Sequence, residues 1–274
     1  MLWSLYLSFT STTLLSEPVW IGLDNYAAIL TDDELFPVSL GNTLVYVAFA
    51  VPGSVALSLA LALLLDRRGR AMGLFRALFF LPSIANIVAV SVLWLWVFNP
   101  DYGLLNAGLR LSGVEGPLWL QSEGWAKPAL VLMSLWGVGG MVMIFLAALQ
   151  GVPQELHEAA RLDGASGARR FFAITLPMIS PSVLFNTIIG IIGGLQLFAQ
   201  AYVMTGGAQP GAEGGPNNAT LFAVLYIYKK AFQEFRMGYA SALAWVLFVL
   251  IVGLTILAMR LARARVYYEA EDAR

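Results

Sequence analysis

The sequence predicts an all-α membrane protein, a polytopic helical bundle, and three observations carry that prediction. Hydrophobic residues fill 59% of the 274 positions and charged residues only 12%, for a mean hydropathy of +0.74. Five apolar runs, 43–65, 77–98, 129–150, 183–204 and 239–259, each hold 21 to 23 residues without one Asp, Glu, Lys, Arg or His. A helix of that length crosses the roughly 30 Å of bilayer hydrocarbon at ~1.5 Å per residue. The basic residues cluster between the runs, as they do on the cytoplasmic side of membrane proteins.

The run 1–9 has the same apolar character but as a helix is only about 13 Å long. It is expected to be the outer half of a first helix whose beginning is missing, giving five complete spans plus a truncated one. It lacks the basic leader of a signal peptide. The next segment carries Glu17, Asp24, Asp32, Asp33 and Glu34 with no basic residue, which suits an external face. Span 43–65 contains Pro52-Gly53 and span 77–98 contains Pro82, so both are expected to be interrupted or kinked. Between them Arg67, Arg68, Arg70 and Arg76 place a short loop inside. The same topology puts Arg161, Arg169, Arg170, Arg260, Arg263, Arg265 and Arg274 inside, eleven of the sixteen basic residues. Lys229, Lys230 and Arg236 fall outside on a probable amphipathic segment, 221–235, and argue mildly against it. Gly137, Gly139 and Gly140 in span 129–150, and Gly190, Gly193 and Gly194 in span 183–204, predict close helix packing. The stretch 205–220, with Gly206-Gly207 and Gly214-Gly215-Pro216, reads as a flexible external connector.

The loop 151–182 is long enough to have a task of its own. Pro153 suits a first helical position, 154–163 are good helix formers, and Gly164 supplies a left-handed residue that ends a helix. Ser166 then caps a second helix through Arg169, Arg170 and Phe171 toward Leu176, which Pro177 interrupts. Leu156, Ala159 and Ala160 share one face, small enough for another surface to come close. On these residues alone the loop is either a docking knob or an ordinary solvated helical hairpin.

Glu158-Ala159-Ala160, then Gly164 after three residues, then Ile174, one residue, and Leu176-Pro177 after nine more, resembles the full EAA loop of the membrane subunits of ATP-binding-cassette importers. All spacings match. Further similarity to the sugar-permease branch, the maltose and glycerol-3-phosphate type, lies in 4–10, 22–26, Asn42-Thr43, Phe75-Arg76, Leu81-Pro82 and 238–242. The resemblance covers almost the whole chain. It implies a single permease domain, 1–274, with the bundle of a type I importer, in the inner membrane of a prokaryote. It also implies a second, similar permease, a dimer of ATPase subunits and an extracytoplasmic solute-binding protein as partners. In that family the EAA helix enters a groove on the ATPase, so Glu158, Ala159, Ala160, Asp163 and Gly164 are the implied coupling residues, flanked by Arg161. The family's external loop carries a TGGP-like turn, and 205–220 resembles a lengthened version of it.

The residues themselves agree with a driven machine that does not burn its own fuel. No GxxxxGK[ST] occurs, so ATP and Mg are expected at the partner ATPase and no cofactor on this chain. No span holds the ionisable group that ion-coupled carriers place at mid-membrane. Near-zero net charge gives no sign of nucleic-acid binding. For the solute path, Asn86, Ser134, Trp136, Gln196 and Gln200 are the expected contacts: amides and a hydroxyl pair with sugar hydroxyls while an indole stacks on a sugar face. Interhelical hydrogen bonding is the competing role for each amide. A membrane-embedded enzyme lacks parts, because His157 is the single histidine and no paired carboxylates or metal clusters lie near the spans. An unaided carrier or channel differs from a driven importer in one measurable way: its purified chain moves solute without partners.

Overall fold

The structure is a computed structural model that describes residues 1–13, 16–67, 69, 71–206 and 214–262. Arg68, Arg70, Arg263, Arg265 and Arg274, five of the arginines behind the expected orientation, lie outside the described residues, as does the centre of the glycine-rich stretch from Gly207 to 213. The described residues are mostly helical, with almost no sheet. Contacts sort it into two compact units, each assembled from three separate stretches of sequence.

One unit comprises Met1–Phe49, Asn86–Met133 and Ile192–Gly253. Its first helix, α1 (Leu2–Ser8), ends in a two-residue antiparallel pair, β1 (Thr10–Ser11) with β2 (Val19–Trp20). The apolar N-terminal run thus turns into a small folded cap on this unit. Asn25, on α2 (Asp24–Thr31), secures it by donating to the carbonyls of Ser8 and Thr10 at 2.9 and 3.0 Å. Gly238, at the head of α15 (Met237–Ala262), donates its N–H to Thr12 at 3.2 Å, and a Cβ there would lie 2.0 Å from the Thr10 carbonyl.

A carboxylate holds this unit together at the head of α3 (Leu35–Leu65). Asp33 Oδ1 accepts from the N–H groups of Leu35 and Phe36 at 3.0 Å each, satisfying two donors that the helix itself cannot pair. The hydroxyl of Tyr226, on α14 (Ala223–Tyr228), donates to both Asp33 oxygens at 2.8 and 2.7 Å, and Tyr239 of α15 donates as well. Burial by itself would raise this carboxyl. The bonds from Tyr239, Tyr226, Phe36 and Leu35 outweigh it and hold the group below its usual 3.8. The same cluster accounts for the two basic residues nearest it: Lys230 pairs with Glu234 at 2.8 Å and lies over the Tyr226 ring, while Arg236 stacks 4.5 Å from the Tyr239 centroid. These external cations are held locally by a carboxylate and aromatic rings. Nearby, Asn42 donates to the carbonyls of Asn218 and Leu221 and accepts from Lys127, which ties the end of the external loop to α3 and to α7 (Glu123–Trp136).

The other unit comprises Ala50–Ala85, Ser134–Ile191 and the described residues from Leu254 onward. Its core joins Ala62 and Leu65 of α3, Val142, Phe145, Leu146 and Leu149 of α8 (Gly139–Gln150), Val138 and Ile179. Gly139 is where α8 crosses α4 (Met72–Ile84): a Cβ there would meet the Phe79 carbonyl at 2.3 Å and the Phe80 Cα at 2.8 Å. Gly190 of α12 (Ser180–Leu195) similarly faces Val51 at 3.1 Å, whereas Gly140 and Gly193 meet nothing within 4 Å. Close packing is therefore the task of particular members of each glycine cluster. At the end of α3, Arg76 donates through Nε and one terminal nitrogen to the Leu65 carbonyl, at 3.2 and 2.8 Å, satisfying a C-terminal acceptor.

Among the described residues two helices are long and apolar enough to cross a membrane unbroken, α3 with 31 residues and α15 with 26. Pro52, expected to interrupt its span, sits inside a continuous α3. The other three runs are broken pairs. The run 77–98 divides into α4 and α5 (Ile87–Val97), with Ala85 extended shortly after Pro82. The run 129–150 divides between α7 and α8 at Gly137-Val138. The run 183–204 divides between α12 and α13 (Ala199–Met204) at 196–198. Counted instead as α4 with α5, α7 with α8 and 167–178 with α12, each bent pair as one span, up to five crossings result by length and composition.

Two outcomes follow from this packing. Gly139→Ala should lower the thermal stability of the purified chain by about 1–3 kcal/mol, because backbone rather than a pliable side chain fills the space, while Gly140→Ala should be neutral in the same melts. Asp33→Asn should cost about 1.5–3 kcal/mol near neutral pH, the worth of hydrogen bonds to a charged group. Since folding lowers the Asp33 carboxyl, its contribution is complete above its usual 3.8 and is lost as pH falls through the folded value. The difference between wild type and Asp33→Asn should therefore narrow in melts taken below that pH.

Candidate functional site

The loop 151–182 folds within the second unit as a helical hairpin. Its first helix, α9 (Gln154–Leu162), begins one residue later than the sequence suggests, with Pro153 as the extended residue before the first turn. The end is a Schellman arrangement. Gly164, at φ +76°, donates to Arg161 at 3.0 Å, and Ala165 donates back to Ala160 at 2.9 Å. Ser166 caps α10 (Gly167–Arg170) by accepting from the Arg169 N–H at 3.3 Å. The second helix then widens into a π-turn (Phe171–Thr175) before α11 (Leu176–Met178), which contains Pro177. Such widened turns recur at functional positions.

No residue of α9 is buried. Leu162 is 90% exposed and Leu156 44%, so apolar surface stands uncovered on a short polar helix. Glu158, Ala159, Asp163 and Gly164 are exposed and Ala160 is half-buried. The structure therefore brings all five expected coupling residues together on one projecting element. Behind it lies a groove of about 940 Å³, lined by Arg67, Arg76, Arg161, Arg170, His157 and Glu158 among others. Sequence reasoning used Arg67 and Arg76 to orient the chain and Arg161 to flank the coupling residues, and did not foresee that α3, α4 and the hairpin enclose a shared hollow.

The five expected path residues are divided between the units. Ser134 and Trp136 belong to the one with the hairpin, and Asn86, Gln196 and Gln200 to the other. Three of the five stand at helix breaks: Trp136 closes α7, Gln196 lies in the gap after α12, and Asn86 opens α5. The Asn86 carbonyl oxygen accepts from the Val88 N–H at 2.9 Å and the Ala89 N–H at 3.5 Å. Its oxygen thus caps a helix, and its amide nitrogen is what remains for other contacts. Gln196 is exposed, Gln200 half-buried and Trp136 42% exposed. Asn186 is a different case, at 1% exposure with its side-chain nitrogen unpartnered.

The described end of the glycine-rich stretch is folded rather than loose. Gly215 donates to Thr205 at 2.9 Å, Thr220 to Gly214 at 2.7 Å, and left-handed residues at Gly215, Asn217 and Asn218 form the turn. A hollow of about 560 Å³ lies beside it, with Phe98, Trp119, Asn99 and Gln121 in its wall.

Residues 53–266 match the family described as binding-protein-dependent transport system inner membrane component. The chain is 40% identical to the probable ABC transporter permease protein YesP of Bacillus subtilis (strain 168), over 98% of this chain and 86% of that one. It is 35% identical to the sulfoquinovosyl glycerol transport system permease protein SmoG of Agrobacterium fabrum, over 95% and 83%. With the lactose transport system permease protein LacF of Rhizobium radiobacter the identity is 37%, over 86% and 79%. In fold it is similar to a chain of a bacterial alginate ABC transporter solved in complex with an alginate pentasaccharide-bound periplasmic protein, with a TM-score of 0.78 at 23% identity, covering 89% of this chain and 83% of that one.

Proposed function

This chain belongs to the family of binding-protein-dependent transport system inner membrane components, and from that premise we propose how its parts work. It is the membrane permease subunit of an ATP-driven importer for a sugar-type solute, and it works by alternating access. The carbohydrate reading draws on relatives named for sulfoquinovosyl glycerol and lactose transport. It also draws on the spans of this chain, which offer amides, hydroxyls and indoles but no charge.

The observation that carries the mechanism is the exposed α9. A helix with no buried face, uncovered Leu156 and Leu162, and a lone carboxylate at Glu158 is unfinished as part of a monomer. We assign that face to the partner ATPase dimer, with Glu158 opposite a cation of the partner and Ala159 and Ala160 permitting close approach. Gly164 and the Schellman bonds make the hairpin stiff, so a push on α9 is passed to α12 through the π-turn instead of being absorbed by fraying. ATP and Mg act on the partner; this chain contributes the joint and the path. The hairpin faces the cytoplasm, consistent with Arg161, Arg169 and Arg170 on it, and the chain resides in the cytoplasmic membrane of a prokaryote. A second permease completes the pore, and an extracytoplasmic binding protein delivers solute.

Asn86, Trp136 and Gln196 stand at helix breaks, where a span departs from regular pairing, and that position supports them as path contacts. Glu158→Lys should leave membrane insertion and the thermal stability of the chain unchanged. It should reduce solute-stimulated ATP hydrolysis and uptake by the reconstituted importer at least tenfold, as expected when one charge of a close interfacial pair is reversed. Normal uptake by Glu158→Lys would remove α9 from the coupling role.

A further inference from the structure

The groove behind α9 holds three arginines that coupling does not use, Arg67, Arg76 and Arg170. Four guanidinium groups, those of Arg67, Arg76, Arg161 and Arg170, line it against two carboxylates, Asp66 and Glu158. Among the described residues none of these arginines has a carboxylate oxygen within 4.0 Å. Arg76 is committed in part, through its two bonds to the Leu65 carbonyl. Arg170 is half-buried and its Nε has no hydrogen-bond partner at all, an expense that a folded chain ordinarily avoids. Arg67 and Arg161 are exposed and line the hollow. A surplus of planar, multi-donor cations around a hollow of about 940 Å³ suits an anion that offers several oxygens at once.

The surroundings narrow the source of that anion. Leu63 lines the groove, and the chain neighbours of groove residues Leu63, Gly73 and Phe171, namely Leu64, Leu74 and Phe172, are 56, 64 and 66% exposed. An apolar skirt beside a basic hollow at the end of membrane helices is the arrangement that receives an amphiphile, headgroup in the hollow and acyl chain along the skirt. We propose that this groove binds a phosphate group, and that in the membrane the group belongs to the headgroup of an anionic phospholipid. The bound phosphate would satisfy Arg170 and hold α3, α4 and the hairpin in register, making stability of the coupling region sensitive to lipid composition. This site shares Glu158 and Arg161 with the helix assigned to coupling, whereas Arg67, Arg76 and Arg170 lie off that helix; it does not depend on the direction or the solute of transport.

The test uses the assembled importer in nanodiscs of phosphatidylcholine with increasing fractions of phosphatidylglycerol. Lipid retained on the permease is read by native mass spectrometry and stability by thermal melts. Phosphatidylglycerol should be retained in preference to phosphatidylcholine and should raise the melting temperature. Arg67→Gln combined with Arg170→Gln should reduce the retention about thirtyfold, roughly the loss expected for two arginines near an anionic surface. If that pair fails to assemble, Arg67→Gln alone, at an exposed position, should reduce it about fivefold. Soluble glycerol phosphate added to phosphatidylcholine discs separates the sources: protection by it, lost in the same variants, assigns the phosphate site to a free phosphoester. Equal retention of both lipids with no effect of glycerol phosphate, or phosphatidylglycerol retention unchanged in the variants, overturns the proposal. So does a lipid response of the isolated chain that vanishes in the assembled importer, which would give the groove to the ATPase. Solute-stimulated ATP hydrolysis measured in the same discs keeps a failure of this site distinct from a failure of the importer assignment.

Discussion

The structure depends on one constraint, that hydrocarbon offers no partner to a backbone N–H or C=O. A span must therefore pair its own backbone or bring a substitute at every interruption. Two spans meet this with unbroken helices, and α3 does so even across Pro52. The other three break, and each break is marked by the local means of managing it. Asn86 turns its side-chain oxygen to the free N–H groups of α5, and the break between α7 and α8 falls at Gly137-Val138. Asn86, Trp136 and Gln196, the residues expected along the solute path, stand at or beside these breaks.

The same accounting governs the polar ends. At the head of α3 the unpaired N–H groups meet Asp33, whose charge is then shared with two tyrosines, and this cluster in turn steadies Lys230 and Arg236. At the tail of α3 the leftover carbonyl of Leu65 meets Arg76. In the hairpin, Gly164 closes α9 with two backbone bonds, so a nine-residue helix with no buried face still has a defined end. A stiff, finished helix with an unfinished surface is suited to transmit force to a partner. Among the described residues Arg67, Arg161 and Arg170 behind it lack a carboxylate partner, and this is what distinguishes the groove from the capped ends.

Much of the architecture was legible in the sequence, for reasons that particular residues show. Charge-free runs of spanning length located the membrane helices, because a buried charge without a partner is prohibitive and the omission is visible residue by residue. The hairpin was legible because its signals are local: Gly164 tolerates a positive φ, Ser166 caps the next helix, and the spacing from Glu158 to Pro177 is rigid. Less legible were the breaks. Pro82 and Pro52 carry the same local signal, yet one precedes a break and the other lies in a continuous helix, since neighbours rather than the proline decide whether the freed groups are satisfied. The Gly-rich external stretch read as loose, and its described end is pinned by Asn42, a partner far away in sequence.

By itself the sequence determined the membrane class, the apolar runs, the form of the hairpin and the kinship to sugar permeases, all of which follow from residue types at short spacing. Tertiary structure alone decided which glycine of a cluster bears a helix crossing, that Asp33 gathers α3, α14 and α15, and that arginines from two loops line one hollow. The division has a physical cause. Helix formation, capping and partition into lipid are set by neighbours within a turn or two along the chain, whereas a close approach, a shared carboxylate or a groove exists only once distant segments have met.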